Sequence, residues 1–378
     1  MSDELRVKFW GVRGSHPTPG AGTVKYGGNT ACVEITSGGK TLILDAGTGI
    51  IPLGRDLARR SATQKRPLEV TLLFSHLHHD HTQGFPFFAP AYMPNAKLNI
   101  FGPGVSPENL EKVLENNQSP STFPVGLREM ASSKDIRSLR ESQVIVWDEA
   151  GVRVTDIVPV GEADTKGDDE ALVVLIHRSY AHPGGVYAYR VNWQGRSIVY
   201  ATDTEGYIGT DRRLVRFAHE TDLLIHDAQY VEEHYRGQMA GFPSTQGYGH
   251  STATIACEVA AAAEVGMLVL FHHDPAYDDS MIDGIEREAR AQFENTLAAN
   301  EGLELTFSNC RASTSVTSLP PLTRACGIPS VPPAPTSAAP VRPDRRSRGG
   351  RDGGPGDGTG WRKQREGREG KICSRWLI

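Results

Sequence analysis

At 378 residues the chain is long enough for two or three domains by length alone, and for a sizeable core. With 38% hydrophobic and 22% charged residues and a formal charge of −5, its composition excludes a fibre or a wholly disordered chain. The five cysteines, Cys32, Cys257, Cys310, Cys326 and Cys373, are scattered, form no CxxC pair, and read as reduced cytosolic thiols.

The N-terminal MSDELRVKFW carries acids and no apolar h-region, so it is not a secretion signal, and a cytoplasmic protein is expected. Short β-rich runs then recur: LRVKFWG, ACVEIT, TLILD, EVTLLF, KLNIF, QVIVW, ALVVLIH, VYAYRV, RSIVYAT, DLLIH and MLVLF. Between some of them lie helical patterns, PLGRDLARR, SPENLEKVLENN, DRRLVRFAHE, STATIACEVAAAAEV and a long DSMIDGIEREARAQFENTLAAN, several opened by a Ser, Thr or Asp cap. Glu258 and Glu264 interrupt the most apolar stretch, residues 254–271, which excludes a membrane span there. The early part is strand-dominated and the later part mixed, with no repeat. That predicts a layered α/β body, an α+β sandwich with mixed sheets, rather than a doubly wound fold.

Near residue 319 the apolar pattern gives way to Pro, Gly, Ser and Arg, so residues 1–318 are expected to form the folded body and 319–378 a disordered tail. The tail carries a net charge of +7, which leaves −12 on the body. A basic tail can touch RNA, but like charges in a Gly/Pro context read more simply as a solvated linker.

The most informative stretch is Ser75-His76-Leu77-His78-His79-Asp80-His81, directly after the apolar run VTLLF. Residues two apart project to one side of an extended chain, so His76, His78 and Asp80 are expected to converge, with His81 turned to a neighbouring point and His79 pointing away. Imidazole nitrogen with carboxylate oxygen is a donor set that zinc accepts. A polar surface turn has no need to crowd groups that repel when protonated. One cluster cannot close two metal shells. Further candidates stand at strand ends: His182 before VYAYRV, Asp203 after RSIVYA, and His272, preferred over His273, after MLVLF. His16, His177, His219 and His234 have no converging partner and read as surface or packing residues.

Taken in order, HLHHDH, HPGG, the Asp of ATDTE, HDAQY, HSTA and the first His of LFHHDP resemble the metallo-β-lactamase superfamily, and within it the tRNase Z branch and its small phosphodiesterase relatives. The resemblance spans residues 5 to about 275. It implies a four-layer αββα fold with two mixed sheets and two divalent metal ions, zinc first, with manganese or iron also suited to these donors. One ion would be bound by His76, His78 and His182 and the other by Asp80, His81 and His272, with Asp203 bridging. Asp45 in LILDAGTG would orient a metal ligand by hydrogen bonding, and a turn-capping role beside Gly47 is compatible with that.

The implied chemistry is attack by a hydroxide shared between the ions, with Asp80 also orienting it, and a general acid for the leaving oxygen. In the tRNase Z branch a His in an HST context pairs with the acid of a HEAT-like segment. Here the segment reads His226-Asp227-Ala228-Gln229, which makes His250 the acid and Asp227 its partner, one methylene shorter than the expected Glu.

His78 in place of Glu argues against the di-iron flavoprotein oxygen reductases, and Asp203 in place of Cys departs from the antibiotic-hydrolysing β-lactamases. Glyoxalase II-like thioesterases lack the paired HST segment. The tRNA-grasping arm of true tRNase Z has no room among the 20 residues between His182 and Asp203, and an acidic body attracts a polyanion poorly. A small or cyclic phosphodiester is therefore the expected substrate. The alternatives are a tRNA 3′-end endoribonuclease, a thioesterase and a non-hydrolytic metal-binding sensor. A nucleic-acid substrate is open but not favoured, no membrane partner is expected, and a homodimer is compatible. The insertion Gly102–Ser142 is expected to cover the cleft. Tyr26-Gly27-Gly28-Asn29-Thr30 is either a phosphate cradle or, more simply, a turn.

Overall fold

The apolar runs form two sheets whose alternating faces bury three separate cores. The computed structural model describes residues 4–104, 109–157, 171–206 and 210–308, all within one compact unit; the expected tail lies outside the described residues.

The first half supplies β1 (Glu4–Gly11), β2 (Cys32–Ser37), β3 (Lys40–Leu44), α1 (Ile50–Gln64), β4 (Leu68–Leu73), the one-turn α2 (His79–Thr82), β5 (Ala96–Pro103), α3 (Leu110–Asn117) and β6 (Ser133–Leu139). There follow β7 (Gln143–Asp148), β8 (Gly151–Asp156), β9 (Leu172–Ser179), β10 (Val186–Trp193), β11 (Arg196–Ala201), α4 (Arg212–Ala218), β12 (Leu223–Asp227), α5 (Glu232–Tyr235), α6 (Ala253–Ala262), β13 (Leu268–Phe271), α7 (Asp279–Gln292), β14 (Thr296–Ala298) and β15 (Glu304–Ser308).

One sheet runs β15-β1-β2-β3-β4-β5-β6 and the other β14-β13-β12-β11-β10-β9-β7-β8. Both are mixed: β3 to β6 are parallel in the first and β11 to β14 in the second, the remaining pairs being antiparallel.

Strand alternation sorts side chains to opposite faces. Ile198 and Tyr200 of β11 and Val269 and Phe271 of β13 face Val7, Phe9, Ile35 and Leu44 across the space between the sheets. Their neighbours Val199, Leu268 and Leu270 pack outward on Leu214 of α4, Val259 of α6 and Ile282 of α7. On the far side Ile43, Val70, Leu72 and Ile100 pack under Leu53 of α1 and Leu114 of α3. The order helix, sheet, sheet, helix is the expected four-layer sandwich. The caps are those the sequence offers: Asp211, Thr252 and Asp278 accept N–H bonds from the first turns of α4, α6 and α7.

Two expectations are corrected. The long helix expected over 279–300 stops at Gln292, and Thr296–Ala298 pairs in parallel with β13 instead, since sheet hydrogen bonds outweigh helix propensity there. β6 carries no regular apolar alternation and is a largely exposed sheet edge, whereas the short edge strand β8 turns Val152 and Val154 to the core between the sheets. Gly102–Ser142 is built largely as edge structure, with β6 extending the first sheet and α3 packed on it, rather than as a lid over the cleft. Tyr26–Thr30 is the ordinary turn: the N–H groups of Tyr26, Gly27, Asn29 and Thr30 are taken by Asp279, Thr23, Glu301 and Thr48. No helix among the described residues is long and apolar enough to cross a membrane.

Candidate metal centre and acid site

Parallel strands end on the same side, so the residues that follow them share one rim. Asp45 follows β3, Ser75 to His81 follow β4, Asp203 follows β11, Asp227 closes β12 and His272 follows β13, while His182 lies in the β9–β10 turn. Asp45, Asp203 and His272 all have positive φ, at 62°, 50° and 66°, a conformation uncommon for these residues and concentrated at functional sites.

Within residues 75–82 the structure differs from the extended reading. His78 is extended and is the N-cap residue of α2, on which Asp80 and His81 sit, while His76 lies before the helix. The helical turn carries Asp80 away from His76 and His78 and puts it with His81. His79 is exposed, as expected.

Two groups of the expected donors result, and a third set, Asp203, Asp227, His250 and His272, overlaps the second. Ligand atoms of His76, His78 and His182 lie within 4.8 Å of one another, and so do those of Asp80, His81, Asp203 and His272. His182 Nε2 is 3.0 Å from His78 Nδ1. Asp80 Oδ2 lies 3.3 Å from His81 Nε2 and 3.1 Å from His272 Nε2. Asp203 serves both sides. Its Oδ2 is 3.5 Å from His76 Nε2 and 3.8 Å from His182 Nε2, while its Oδ1 is 3.2 Å from His81 Nε2 and 3.3 Å from His272 Nε2.

Acceptors hold the outer ring nitrogens. His81 Nδ1 meets Asp45 Oδ2 at 2.8 Å, His272 Nδ1 meets Gln229 Oε1 at 2.9 Å, His182 Nδ1 meets the Gly249 carbonyl at 3.2 Å, and His76 Nδ1 meets Ser75 Oγ at 3.1 Å. An N–H fixed outward leaves a lone pair on Nε2 pointing inward, the tautomer a metal ligand needs. Asp45 also accepts from Ser75 and from Tyr200 Oη, so it is locked in turn.

The fit to cations rests on two features. His76 Nε2 is buried with no hydrogen-bond partner. The buried Asp45, Asp80 and Asp203 have only imidazoles as basic partners among the described residues, and buried carboxylates are costly without positive charge. Burial alone would lower His81, yet Asp203, Asp80 and Asp45 push it well above the usual histidine range. Burial holds His76 well below that range and brings His182 down to about 4, so both are neutral donors at pH 7. The donor set therefore suits divalent ions, as the fold does.

Beside this centre His250 Nδ1 lies 2.8 Å from Asp227 Oδ2, and its ring stacks on His272 with centroids 5.0 Å apart. Burial lowers His250, but the Asp227 carboxylate more than offsets it, leaving the imidazole raised to about 9 and protonated at neutral pH. Asp227 also accepts the backbone N–H groups of Asp203, Gln229 and Ser251, tying His250 to the segment that carries the central carboxylate.

His272, not His273, faces the cluster; His273 Nε2 turns to the Ala299 carbonyl, and burial takes that ring down to about 3. His16 and His219 are exposed, while His177 and His234 pack on Phe217 and Phe242. Sequence reasoning missed several supports. Ser15 N–H donates to Asp80 Oδ2 at 2.8 Å, and a Cβ on Gly14 would lie 2.4 Å from His272, so the Gly-Ser pair after β1 was a legible signal. Gln229 and Glu205 gave none, since only contact reveals them.

Residues 40–273 match the β-lactamase superfamily domain, and the chain belongs to that family, as a hydrolase of the metallo-β-lactamase type. It is 26% identical over 335 residues to the Ribonuclease Z of Picrophilus torridus, covering 80% of this chain and 96% of that one. With the Ribonuclease Z of Gemmatimonas aurantiaca it shares 28% identity over 324 residues, covering 80% and 95%. The metallo-β-lactamase fold protein YhfI from Bacillus subtilis superposes with a TM-score of 0.54 at 19% identity, covering 81% and 100%, a likeness of fold alone.

Proposed function

We propose that this chain is a two-metal phosphodiesterase acting on a small or cyclic phosphodiester, with His250 as general acid. The observation that carries the reading is Asp203, whose two oxygens face two separate donor groups. His76, His78 and His182 would hold one ion and Asp80, His81 and His272 the other. Zinc suits the donors best, and manganese or iron can also use them. Two such ions supply a hydroxide nucleophile at neutral pH and neutralise charge on the phosphoryl oxygens.

The protein's own residues do the rest. Asp80 accepts the Ser15 N–H on Oδ2, which fixes the carboxylate, and it would orient the attacking water by accepting a hydrogen bond. Asp45 holds His81 in its ligating tautomer. Asp227 fixes Nδ1 of His250, so Nε2 delivers the proton to the leaving oxygen.

Support for a small substrate comes from the interval between His182 and Asp203. The β10–β11 hairpin closes there through Gln194 and Gly195, both at positive φ, a two-residue turn with no projecting arm. RNA 3′-end processing is the second reading, favoured by the name Ribonuclease Z on relatives that match four-fifths of the chain.

The test is turnover of bis-p-nitrophenyl phosphate, cyclic nucleotides, a precursor tRNA, a thioester and nitrocefin, each with and without chelator. Chelator-sensitive hydrolysis of the small diesters is expected. Cleavage of the precursor tRNA alone would move the assignment to the second reading. Thioester or nitrocefin turnover without diester turnover, or no turnover at all, would refute both.

A further inference from the structure

The rim that carries the metal donors does not end at β4. The next strands of that sheet, β5 and β6, run parallel to β4, and the residues at their ends line a groove of about 500 Å³. Its walls include Gly104, Ser138 and Arg140 from this sheet and Arg178, Tyr180 and Tyr187 from the other. Two links tie it to the centre. Tyr187 N–H donates to the carbonyl of Ser75, the residue before His76, at 2.8 Å, and Tyr180 stands two residues before His182 in the β9–β10 turn.

The chemistry of the groove is cationic and aromatic. Arg178 and Tyr187 are directly opposed across β9 and β10, so they share a face. The Arg178 guanidinium lies 4.9 Å from the Tyr180 ring centre and 6.0 Å from that of Tyr187. Among the described residues no carboxylate forms an ion pair with it. Arg140 is paired with Asp156, and Glu141, the one acid in the wall, is taken by Arg213 at 2.7 Å and His177. Tyr180 is 68% exposed, which leaves an aromatic face open to solvent beside an uncommitted planar cation. A guanidinium binds phosphate through a fork of N–H donors, and a tyrosine face stacks a base. Cavities of this size hold a nucleotide-sized body.

We propose that this groove binds a nucleotide unit of the substrate, its phosphate on Arg178 and its base against Tyr180. The proposal rests on the phosphodiesterase reading and adds a substrate class to it. The groove thereby sets which diesters are presented to the metal donors.

The test is calorimetric titration of the metal-loaded protein with a nucleoside 5′-monophosphate. Arg178→Gln is expected to weaken binding at least tenfold and Tyr180→Ala at least threefold, while Arg128→Gln, an exposed arginine paired with Glu115, stays at the wild-type affinity. Since Tyr180 is so exposed, its truncation leaves the fold intact and reads the groove even if the arginine variant folds poorly. Wild-type affinity in both groove variants would overturn the proposal. In turnover, the preference for a 5′-phosphorylated dinucleotide over bis-p-nitrophenyl phosphate is expected to fall in R178Q, and an unchanged preference would count against the groove. The phosphodiesterase reading fails separately, on absence of diester turnover by the wild type.

Discussion

The Glu205 carboxylate accepts the backbone N–H of Gly249 at 2.9 Å, two residues beyond the central Asp203 and one before the proposed acid His250. It also accepts Gly247 N–H at 2.8 Å and Tyr235 Oη at 2.6 Å, so one buried side chain pins the whole approach to His250. Gly249 in turn offers its carbonyl to His182. Removing the carboxylate leaves two backbone N–H groups short of a partner, at about 1–3 kcal/mol each if they stay dry. Glu205→Ala is expected to lower kcat about tenfold, roughly 1.4 kcal/mol in the barrier, with KM for a small diester nearly constant. Glu205→Gln, which keeps an acceptor, should recover much of the loss. Full activity in the Ala variant would show that the loop holds itself.

Gly249 has no substitute at its position. Its φ is +91°, and a Cβ there would lie 2.3 Å from His182 Nδ1. Gly249→Ala is expected to displace His182, and metal analysis of the purified variant should show a deficit of about one ion per chain if a ligand is lost. Stoichiometric metal in that variant would mean that the ring has room to retreat.

Asp203 and His76 should differ in what they cost. Because Asp203 faces both donor groups, Asp203→Ala is expected to reduce both ions, whereas His76→Ala should spare the Asp80–His81–His272 group. Elemental analysis after gel filtration separates the two outcomes. Chelation should also lower the thermal midpoint, since an ion bound at 100 times its Kd adds about 2.7 kcal/mol to the folded state. Equal metal content in the two variants would remove Asp203 from its central place.

His250→Ala is expected to cut turnover by about 10²- to 10⁴-fold, the usual range for a lost general acid, with metal content near that of the wild type. Unchanged turnover would refute the assignment.

The pH profile should carry the same signature. Asp227 raises His250, so its imidazole is protonated below about 9 and, with His250 as the proposed acid, activity is expected to fall as pH rises through that value. Asp227→Asn removes the charge that raises the imidazole. The alkaline limb of the kcat profile is therefore expected to move to lower pH. A limb that stays in place would belong to another group.

The candidate site was legible in the sequence because its residues are local and crowded. His76, His78, Asp80 and His81 fall within six residues, and the remaining donors stand next to apolar runs that can only be strands. The fold class followed from the same runs and from the resemblance of the ordered motifs. The structure puts His272, the first residue past β13, at the rim, while His273 turns to the Ala299 carbonyl.

What the residues alone dictated was the inventory: imidazoles and carboxylates at strand ends, an acidic body, and strands enough for two sheets. Tertiary structure decided the grouping. The turn of α2 sent Asp80 to the side of His81, the edge strand β6 formed without apolar alternation, and Thr296–Ala298 left a helical pattern for the edge of β13. Glu205 and Gln229 acquire their places only through Gly249 and His272, 44 and 43 residues away, and Arg178 through Tyr187, which is itself tied to the distant Ser75. The physical reason is range. Periodicity and crowding act over a few residues, whereas a hydrogen bond or a shared rim depends on which strands lie side by side, and that is settled by burying all three cores at once.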